Sequence, residues 1–270
     1  MTKHGTIRTG IGGWTFEPWE GTFYPKDLPK KRQLEYASRQ LATIEVNGTY
    51  YRSQTPETFA KWAEEAPDGF VFSLKAPRFS TNRKVLGEGG ESVERFVASG
   101  IAELGEKLGP ILWQFMPTKR FDSGDFGAFL ALLPAKIEGI ALRHAVEVRN
   151  ETFLDPAFVA LARKHRVAIV HADHESYPEI ADVTADFVYT RLQKGADDEP
   201  EAYTPAALDA WAERLALWSC GGRPEGLPLV DGDERPEPRP RDVFAYVIHE
   251  GKIRAPQGAM GLASRIAKHP

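Results

Sequence analysis

The stretch that decides the fold is TIEVNGTYYRSQTPETFAKWAEEAPDGFVFSLKA, residues 43–76. It begins and ends with short segments in which β-branched or aromatic residues alternate with polar ones, the pattern of a β-strand. Between them, Thr55 is a typical helix N-cap, Pro56 fits the first helical position, and Phe59 and Trp62 share one helical face. The stretch therefore predicts a strand, a helix and a second strand in succession.

This alternation continues along the whole chain. Nearly all of eight predicted strands are followed by a helical pattern, including one helix over residues 91–108, whereas an irregular loop with at most a short helix follows the sixth strand. Eight such units predict an α/β fold, a TIM-type (β/α)8 barrel forming a single domain over residues 1–270, with a doubly wound open sheet as the alternative. The predicted strands are 6–13, 43–47, 69–76, 109–115, 142–149, 166–172, 186–192 and 241–250.

One segment differs in composition from the rest. Residues 221–241, GGRPEGLPLVDGDERPEPRPR, are rich in proline, glycine and charge. Such a composition predicts a mobile surface loop. It would join the seventh helix to the eighth strand, on the face of a barrel opposite to the usual active site.

The composition limits location and partners. The net charge of −4 gives no general attraction to nucleic acid or anionic membranes, and no apolar run is long enough to span a bilayer. Cys220 is the single cysteine, so no internal disulfide can form and a reducing, cytoplasmic location is predicted. The first residues lack the apolar core of a signal peptide.

Polar residues recur at the carboxyl ends of the predicted strands. In a barrel these ends meet at one mouth, where active sites lie, whereas the rest of a parallel strand is normally apolar on both faces. Period two places His171 on the inward face of strand six with Val167 and Ile169, and His249 on that of strand eight with Val243, Ala245 and Val247. The predicted mouth comprises Glu45, Asn47, Lys75, Gln114, Glu147, Arg149, His171, Asp173, Arg191 and His249, with Trp14, Tyr50, Tyr51 and Arg78 from adjoining loops.

Several chemistries fit this set. Glu45 and Glu147 resemble the carboxylate pair of acid/base catalysis, with His171 as a proton carrier. Lys75, Arg149 and Arg191 are candidate anion clamps, and Lys75 could alternatively form a Schiff base. A divalent metal fits Glu45, Glu147, His171 and Asp173, with His174 and His249 in addition, although the nearby cations oppose it. The catalytic candidates are Glu45, Lys75, Glu147 and His171.

Two other readings remain open. The charged residues could form structural ion pairs, such as Glu45 with Arg191 or Glu147 with Lys75, in a protein that is not a catalyst. Nucleic acid could bind the cations of residues 30–32, 78 and 82–84, with Trp14, Tyr50 and Tyr51 stacking on bases.

The sequence resembles the YecE-like proteins, a family of unknown function. The similarity lies in GIGGWTFEPWEGTFYP (10–25), TIEVNGTYYRSQTPETFAKWAEEAPDGFVFSLKAPR (43–78), GPILWQFMP (109–117), LRHAVEVRN (142–150) and TADFVYTRL (184–192). The resemblance implies a TIM-barrel-like fold and no particular reaction. The chain departs from the family pattern after strand seven, where it reads RLQKG, and at the end of strand eight, where His249 and Glu250 stand.

The resulting prediction is an enzyme with hydrolase- or isomerase-type acid/base chemistry. Its substrate would be small and anionic or polyhydroxyl, for example a phosphorylated sugar or nucleotide. An endonuclease-like activity and a binding protein without catalysis are the alternatives. No nucleotide-cofactor motif is present and no membrane partner is expected, while a divalent metal stays open.

Overall fold

The chain forms a closed barrel of parallel strands. A computed structural model describes residues 4–232, 237–248 and 252–268. Its strands are β1 (Ile7–Gly12), β2 (Thr43–Val46), β3 (Val71–Lys75), β4 (Leu108–Gln114), β5 (Lys136–Ile137), β6 (Ile140–Ala141), β7 (His144–Glu147), β8 (Ala168–Ile169), β9 (His171–Asp173), β10 (Phe187–Leu192) and β11 (Asp242–Val247).

The nine strands other than β5 and β6 make one sheet in the order β8-β7-β4-β3-β2-β1-β11-β10-β9, with parallel neighbours throughout. β8 and β9 are two pieces of one strand interrupted at Val170. The first piece pairs with β7 and the second with β10, so the sheet closes into a ring of eight. The predicted TIM-type α/β barrel is confirmed. β5 and β6 form a separate antiparallel hairpin.

Helices surround the ring, and side chains fix where several of them begin. Thr55 and Thr204 accept backbone hydrogen bonds as N-caps, and each precedes a proline at the first helical position. Asp122 and Asp155 act in the same way. The helices are α1 (Gln33–Gln40), α2 (Gly48–Tyr51), α3 (Pro56–Glu65), α4 (Arg78–Thr81), α5 (Gly90–Val97), α6 (Ser123–Leu132), α7 (Pro156–His165), α8 (Pro205–Ser219) and α9 (Ala255–Ile266).

The prediction of one helix over residues 91–108 is wrong. α5 ends at Val97, and a 3-10 helix follows over Ile101–Lys107. Between them Gly100 has a φ of 101°, a conformation that favours glycine, and a Cβ at this position would lie 2.6 Å from the Cα of Pro56. The chain therefore turns at Gly100 to pass closely over the start of α3.

Two apolar layers hold the barrel, one between the sheet and the helices and one inside the ring. The interior layer contains Phe244 and Tyr246 of β11, while Val243, Ala245 and Val247 face the helices. The inward face predicted for β11 was therefore wrong. Tyr246 pairs in register with Gly10 of β1, and its hydroxyl lies 2.9 Å from Thr43 Oγ1 of β2.

The predicted inward face of the sixth strand is also wrong. Ala168 and Val170 lie in the interior layer, whereas Val167 and Ile169 face outward. The side chain of His171 points outward like those of Val167 and Ile169. Its ring packs edge-on against Trp211 and Trp218 of α8. This strand is apolar on both faces, so the alternation of its residues does not indicate which face points into the barrel.

No helix is present in residues 174–186, which follow the sixth strand. Part of the 221–241 segment lies against them: the amide of Ala181 donates to Pro228 O, and Asp182 accepts hydrogen bonds from the amides of Val230 and Asp231 at 2.7 and 3.0 Å. Leu227, Leu229 and Val230 pack against the outer apolar layer. These two segments cover the barrel where a sixth helix would lie. The mobility of residues 221–241 stays a prediction.

Replacing Asp182 with alanine should loosen this cover. The change leaves two amides without their acceptor, which costs about 1–3 kcal/mol in the free energy of unfolding measured by urea denaturation. Hydrogen exchange at Val230 and Asp231 should accelerate. Asp186→Ala removes an exposed carboxylate from the same segment and serves as the control. Equal effects of the two changes would contradict the role of Asp182 as the acceptor for the two amides.

Candidate functional site

The floor of the barrel mouth is a buried arginine between two buried carboxylates. Arg191 of β10 donates from Nε to Glu45 Oε2 at 3.1 Å and from Nη2 to Glu45 Oε1 at 3.3 Å. Its Nη1 donates to Glu147 Oε2 on β7. The side chains are 4% exposed for Arg191 and 0% for both glutamates. The structure confirms the prediction that these three side chains point into the barrel. It also confirms that Glu45 lies next to Arg191.

Hydroxyl groups complete the floor from below. Tyr189, two residues before Arg191, donates its hydroxyl hydrogen to Glu45 Oε2 at 2.7 Å, and Ser73 Oγ lies 3.0 Å from the same hydroxyl. Burial, with the charge of Glu45 in addition, raises the pKa of Tyr189 well above its ordinary value. The phenol therefore stays protonated and remains a donor to the carboxylate.

Glu147 is held ionised by its neighbours. Burial opposes ionisation, but the positive charges of Arg191, Arg149 and Lys75 outweigh it and lower the pKa of the carboxyl to about 2. Arg149 Nε and Gln114 Nε2 both donate to Glu147 Oε1, at 2.6 and 2.9 Å. Gln114 sits opposite Glu147 in the register of β4 and β7, which explains the contact.

Lys75, at the end of β3, lies in the mouth with few partners. Its Nζ donates to Gln114 Oε1 at 3.0 Å and lies 4.5 Å from the ring centre of Tyr50. Its side chain is buried, at 6% exposure, yet no ion pair involves it in the described part of the chain. Burial lowers the pKa of Lys75 to about 8, and Arg191 and Arg149 act in the same direction against the raising effect of Glu45 and Glu147.

Arg149 forms one wall of the mouth. Its guanidinium pairs with Glu147 and lies 4.5 Å from the ring centre of Tyr177, which in turn stacks on His174 at 3.8 Å. Tyr177 and His174 belong to the segment that replaces the sixth helix. Burial, together with the charge of Arg149, lowers the pKa of His174. The stack holds the arginine between a carboxylate and an aromatic face.

The opposite wall is more open. Asn47 is half-buried, with its amide nitrogen beside Gly12 and Gly13. Arg78, at the start of α4, is exposed, as are its neighbour Phe79 at 43% and Tyr51 at the end of α2 at 73%. Tyr51 packs edge-on against Tyr50, whose ring lies below the amine of Lys75.

Other predicted site residues lie elsewhere. Trp14 packs against Trp62 of α3 and lines an outer cleft of about 420 Å³. His171, behind the barrel wall, contacts Thr190 Oγ1 at 3.0 Å and Glu179 Oε1 at 2.9 Å. Asp173 pairs with Lys194 at 2.8 Å, and His249 lies outside the described residues.

The predicted metal ligands are therefore not assembled. Glu45 and Glu147 are joined through Arg191, whereas His171 and Asp173 make other contacts on the outward face. Within residues 4–232, 237–248 and 252–268, no three histidine, cysteine, aspartate or glutamate side chains are grouped as a metal site requires.

Some residues around the mouth were not among the predicted site residues. Tyr189 and Ser73 share the inward phase of Arg191 and Lys75, so the alternation contained the signal that identifies them. Tyr177 comes from a segment without periodicity, and no pattern in the sequence places its ring beside Arg149. His174, predicted only as a possible metal ligand, stacks on Tyr177 instead.

A closed β/α barrel with a charged cluster at the carboxyl ends of its strands defines the class of protein. The chain belongs to the family described as "Protein of unknown function DUF72", whose model matches residues 8–270.

The expected YecE-like resemblance is confirmed by curated relatives. UPF0759 protein YecE of Escherichia coli (strain K12) is 26% identical over 208 residues, which cover 68% of this chain and 74% of that protein. UPF0759 protein YunF of Bacillus subtilis (strain 168) is 26% identical over 158 residues, 56% of this chain and 54% of that protein.

A solved structure has the same fold. The crystal structure of a DUF72 family protein from Thermotoga maritima matches with a TM-score of 0.72 and 20% sequence identity, covering 97% of this chain and 99% of that one. Among the described residues, no helix is both long and apolar enough to cross a membrane.

Acid should weaken the fold through Glu147. Its pKa in the folded state lies near 2, below its ordinary value of 4.5, so its ionised form stabilises the fold above pH 4.5 and this contribution is lost as the pH falls towards 2. Glu147→Gln should be less stable than the native protein at pH 7. The difference in the free energy of unfolding should shrink by roughly 3 kcal/mol over this pH range.

The measurement is urea denaturation at a series of pH values. Glu103→Gln, a change at an exposed carboxyl, is the control and should follow the native protein. A stability difference between native protein and Glu147→Gln that stays constant from pH 7 to acid would contradict the assignment.

Proposed function

We propose that the protein is an enzyme that binds a small anionic or polyhydroxyl substrate at the barrel mouth and transfers a proton through Lys75. The observation that carries the proposal is the buried amine of Lys75, which has one hydrogen-bond acceptor and no carboxylate partner among the described residues. A buried ammonium without a counter-ion is costly. Such a group is typical of catalytic lysines, whose pKa lies close to the working pH.

The charges of the mouth support an anionic substrate. Four cations, Lys75, Arg78, Arg149 and Arg191, accompany two carboxylates, Glu45 and Glu147. Arg191 engages both carboxylates in the floor. Arg149 and the exposed Arg78 remain beside Tyr50 as donors for a phosphate or carboxylate, which a guanidinium binds with two parallel hydrogen bonds.

This assignment gives the residues different roles. Lys75 is the acid/base, Arg149 and Arg78 hold the anionic group, and Tyr50 and Asn47 line the pocket. Because the pKa of Glu147 lies near 2, that carboxyl is a poor proton donor at neutral pH. We therefore assign to Glu147 and Arg191 the positioning of Lys75 and Arg149, through Gln114 and through direct contact.

Binding is tested by thermal shift with inorganic phosphate and a panel of sugar phosphates. Phosphate-containing ligands should raise the melting temperature, and Arg78→Met should weaken their apparent affinity by about tenfold, the loss of one charge-assisted hydrogen bond. Lys164→Met, a change of an exposed cation in the last turn of α7, is the control. An unchanged affinity in Arg78→Met would remove Arg78 from the site.

Binding should also depend on pH. Phosphate affinity of the native protein should fall as the pH rises through about 8, where Lys75 loses its charge. Lys75→Arg should keep its affinity over the same range because arginine stays charged. Proton transfer is measured by incubating each stabilising ligand in deuterated water and following deuterium incorporation by NMR, which Lys75→Met should abolish. Incorporation that survives in Lys75→Met would contradict the catalytic role.

A second candidate function is the binding of single-stranded nucleic acid. Exposed Tyr51 and Phe79 flank Arg78 at the open wall, an arrangement of stacking rings beside a phosphate donor. Affinity for an oligothymidine that falls steeply with salt, and that Tyr51→Ala weakens, would favour this function over the first. Binding that is absent at low salt would exclude it.

A further inference from the structure

The amine of Lys75 is placed to act as a nucleophile. It stands at the carboxyl end of a barrel strand, 4.5 Å from the ring centre of Tyr50, with Gln114 Oε1 as its acceptor. The nearby carboxylates are already engaged, Glu45 by Arg191 and Tyr189, and Glu147 by Arg191, Arg149 and Gln114. The amine is therefore not required as a counter-ion in the floor.

We propose that Lys75 Nζ forms an imine with an aldehyde or ketone that carries a carboxylate or phosphate group. This inference rests on the proposed function, because it uses the same mouth and the same anion-binding arginines. Lysines near other cations in water-poor sites are the ones that form such imines in proteins. Arg191 and Arg149 supply those cations here.

The class of ligand follows from what surrounds Tyr50. The ring lies against the Lys75 amine, and the charges of Arg149 and Arg78 both act on its hydroxyl. An anionic group bound by the arginines would thus lie on the same side of the barrel as the amine. A short molecule, with only a few bonds between its anionic group and its carbonyl, fits this arrangement.

The step balances without any oxidant or reductant. The ammonium group of Lys75 first gives one proton to water, and the lone pair of the resulting neutral amine forms the C–N bond. The electron pair of the carbonyl π bond moves to oxygen, and a proton passes from nitrogen to that oxygen to make a hydroxyl group. The proton held by water then protonates this hydroxyl. Loss of that oxygen as water leaves a protonated imine. In total, one ammonium group and one carbonyl group give one iminium group and one water. The burial that lowers the pKa of Lys75 to about 8 makes the neutral amine available near neutral pH.

Reductive trapping tests the inference on the native protein. Glyoxylate, pyruvate and dihydroxyacetone phosphate are each added at pH 8 with sodium cyanoborohydride, and modified lysines are identified by peptide mass spectrometry. With at least one probe, Lys75 should be modified about tenfold faster than the exposed Lys61, because more of its amine is neutral. Modification of Lys75 no faster than that of Lys61 with all three probes would overturn the imine.

Two further measurements separate the imine from the proposed function. Inorganic phosphate should slow the modification of Lys75 and leave that of Lys61 unchanged, as expected if the arginines bind the anionic group of the probe. Lys75→Arg should lose the trapped adduct, because a guanidinium does not form an imine under these conditions. A native protein that is stabilised by phosphate but shows no faster trapping at Lys75 retains the anion site and refutes the imine, whereas the loss of both refutes both proposals.

Discussion

The contact on which the mouth depends is the buried bridge from Arg191 to Glu45 and Glu147. The three side chains come from β10, β2 and β7, so the bridge ties together strands that are not neighbours in the sheet. Removing one member would leave an uncompensated charge in a low-dielectric interior, which costs about 3–5 kcal/mol. The ring must therefore close with these strands in one relative position.

Stability alone does not explain this bridge, because well-packed apolar side chains are often at least as stabilising as a buried ion pair. Its position at the carboxyl ends of the strands suggests a different benefit. Arg191 engages both carboxylates, and the pKa of Lys75 falls chiefly because its amine is buried, with the charges of Arg191 and Arg149 acting in the same direction. The floor thereby decides which group in the mouth can exchange a proton near neutral pH. In this network the pKa of Glu147 falls to about 2, so its carboxyl stays ionised at neutral pH. The pKa of Lys75 falls to about 8, so its amine can exchange a proton near neutral pH.

Period-two alternation was sufficient for much of this arrangement. It placed Glu45, Lys75, Gln114, Glu147 and Arg191 on the inner face, because the charged and amide side chains at the carboxyl end of each of their strands lie on only that face. It failed for the sixth strand and for β11. Both faces of these strands are apolar, so the alternation does not indicate which face points into the barrel. There the choice depends on neighbours: Tyr246 turns inward beside Gly10, a fact of the pairing register that a single strand does not contain. Helix positions were predictable where caps such as Thr55 and Thr204 mark them.

The missing sixth helix has a direct consequence for the mouth. A helix in residues 174–186 would place its side chains against the barrel wall, whereas the irregular segment brings Tyr177 and His174 over Arg149. Arg149 is thus held on two sides, by Glu147 and by the ring of Tyr177. Across the mouth, Arg78 is exposed and has the exposed ring of Tyr51 near it. Because the wall formed by Arg149 is fixed and the wall after β2 and β3 is open, a ligand would enter from the open side and meet Lys75 before it meets the floor.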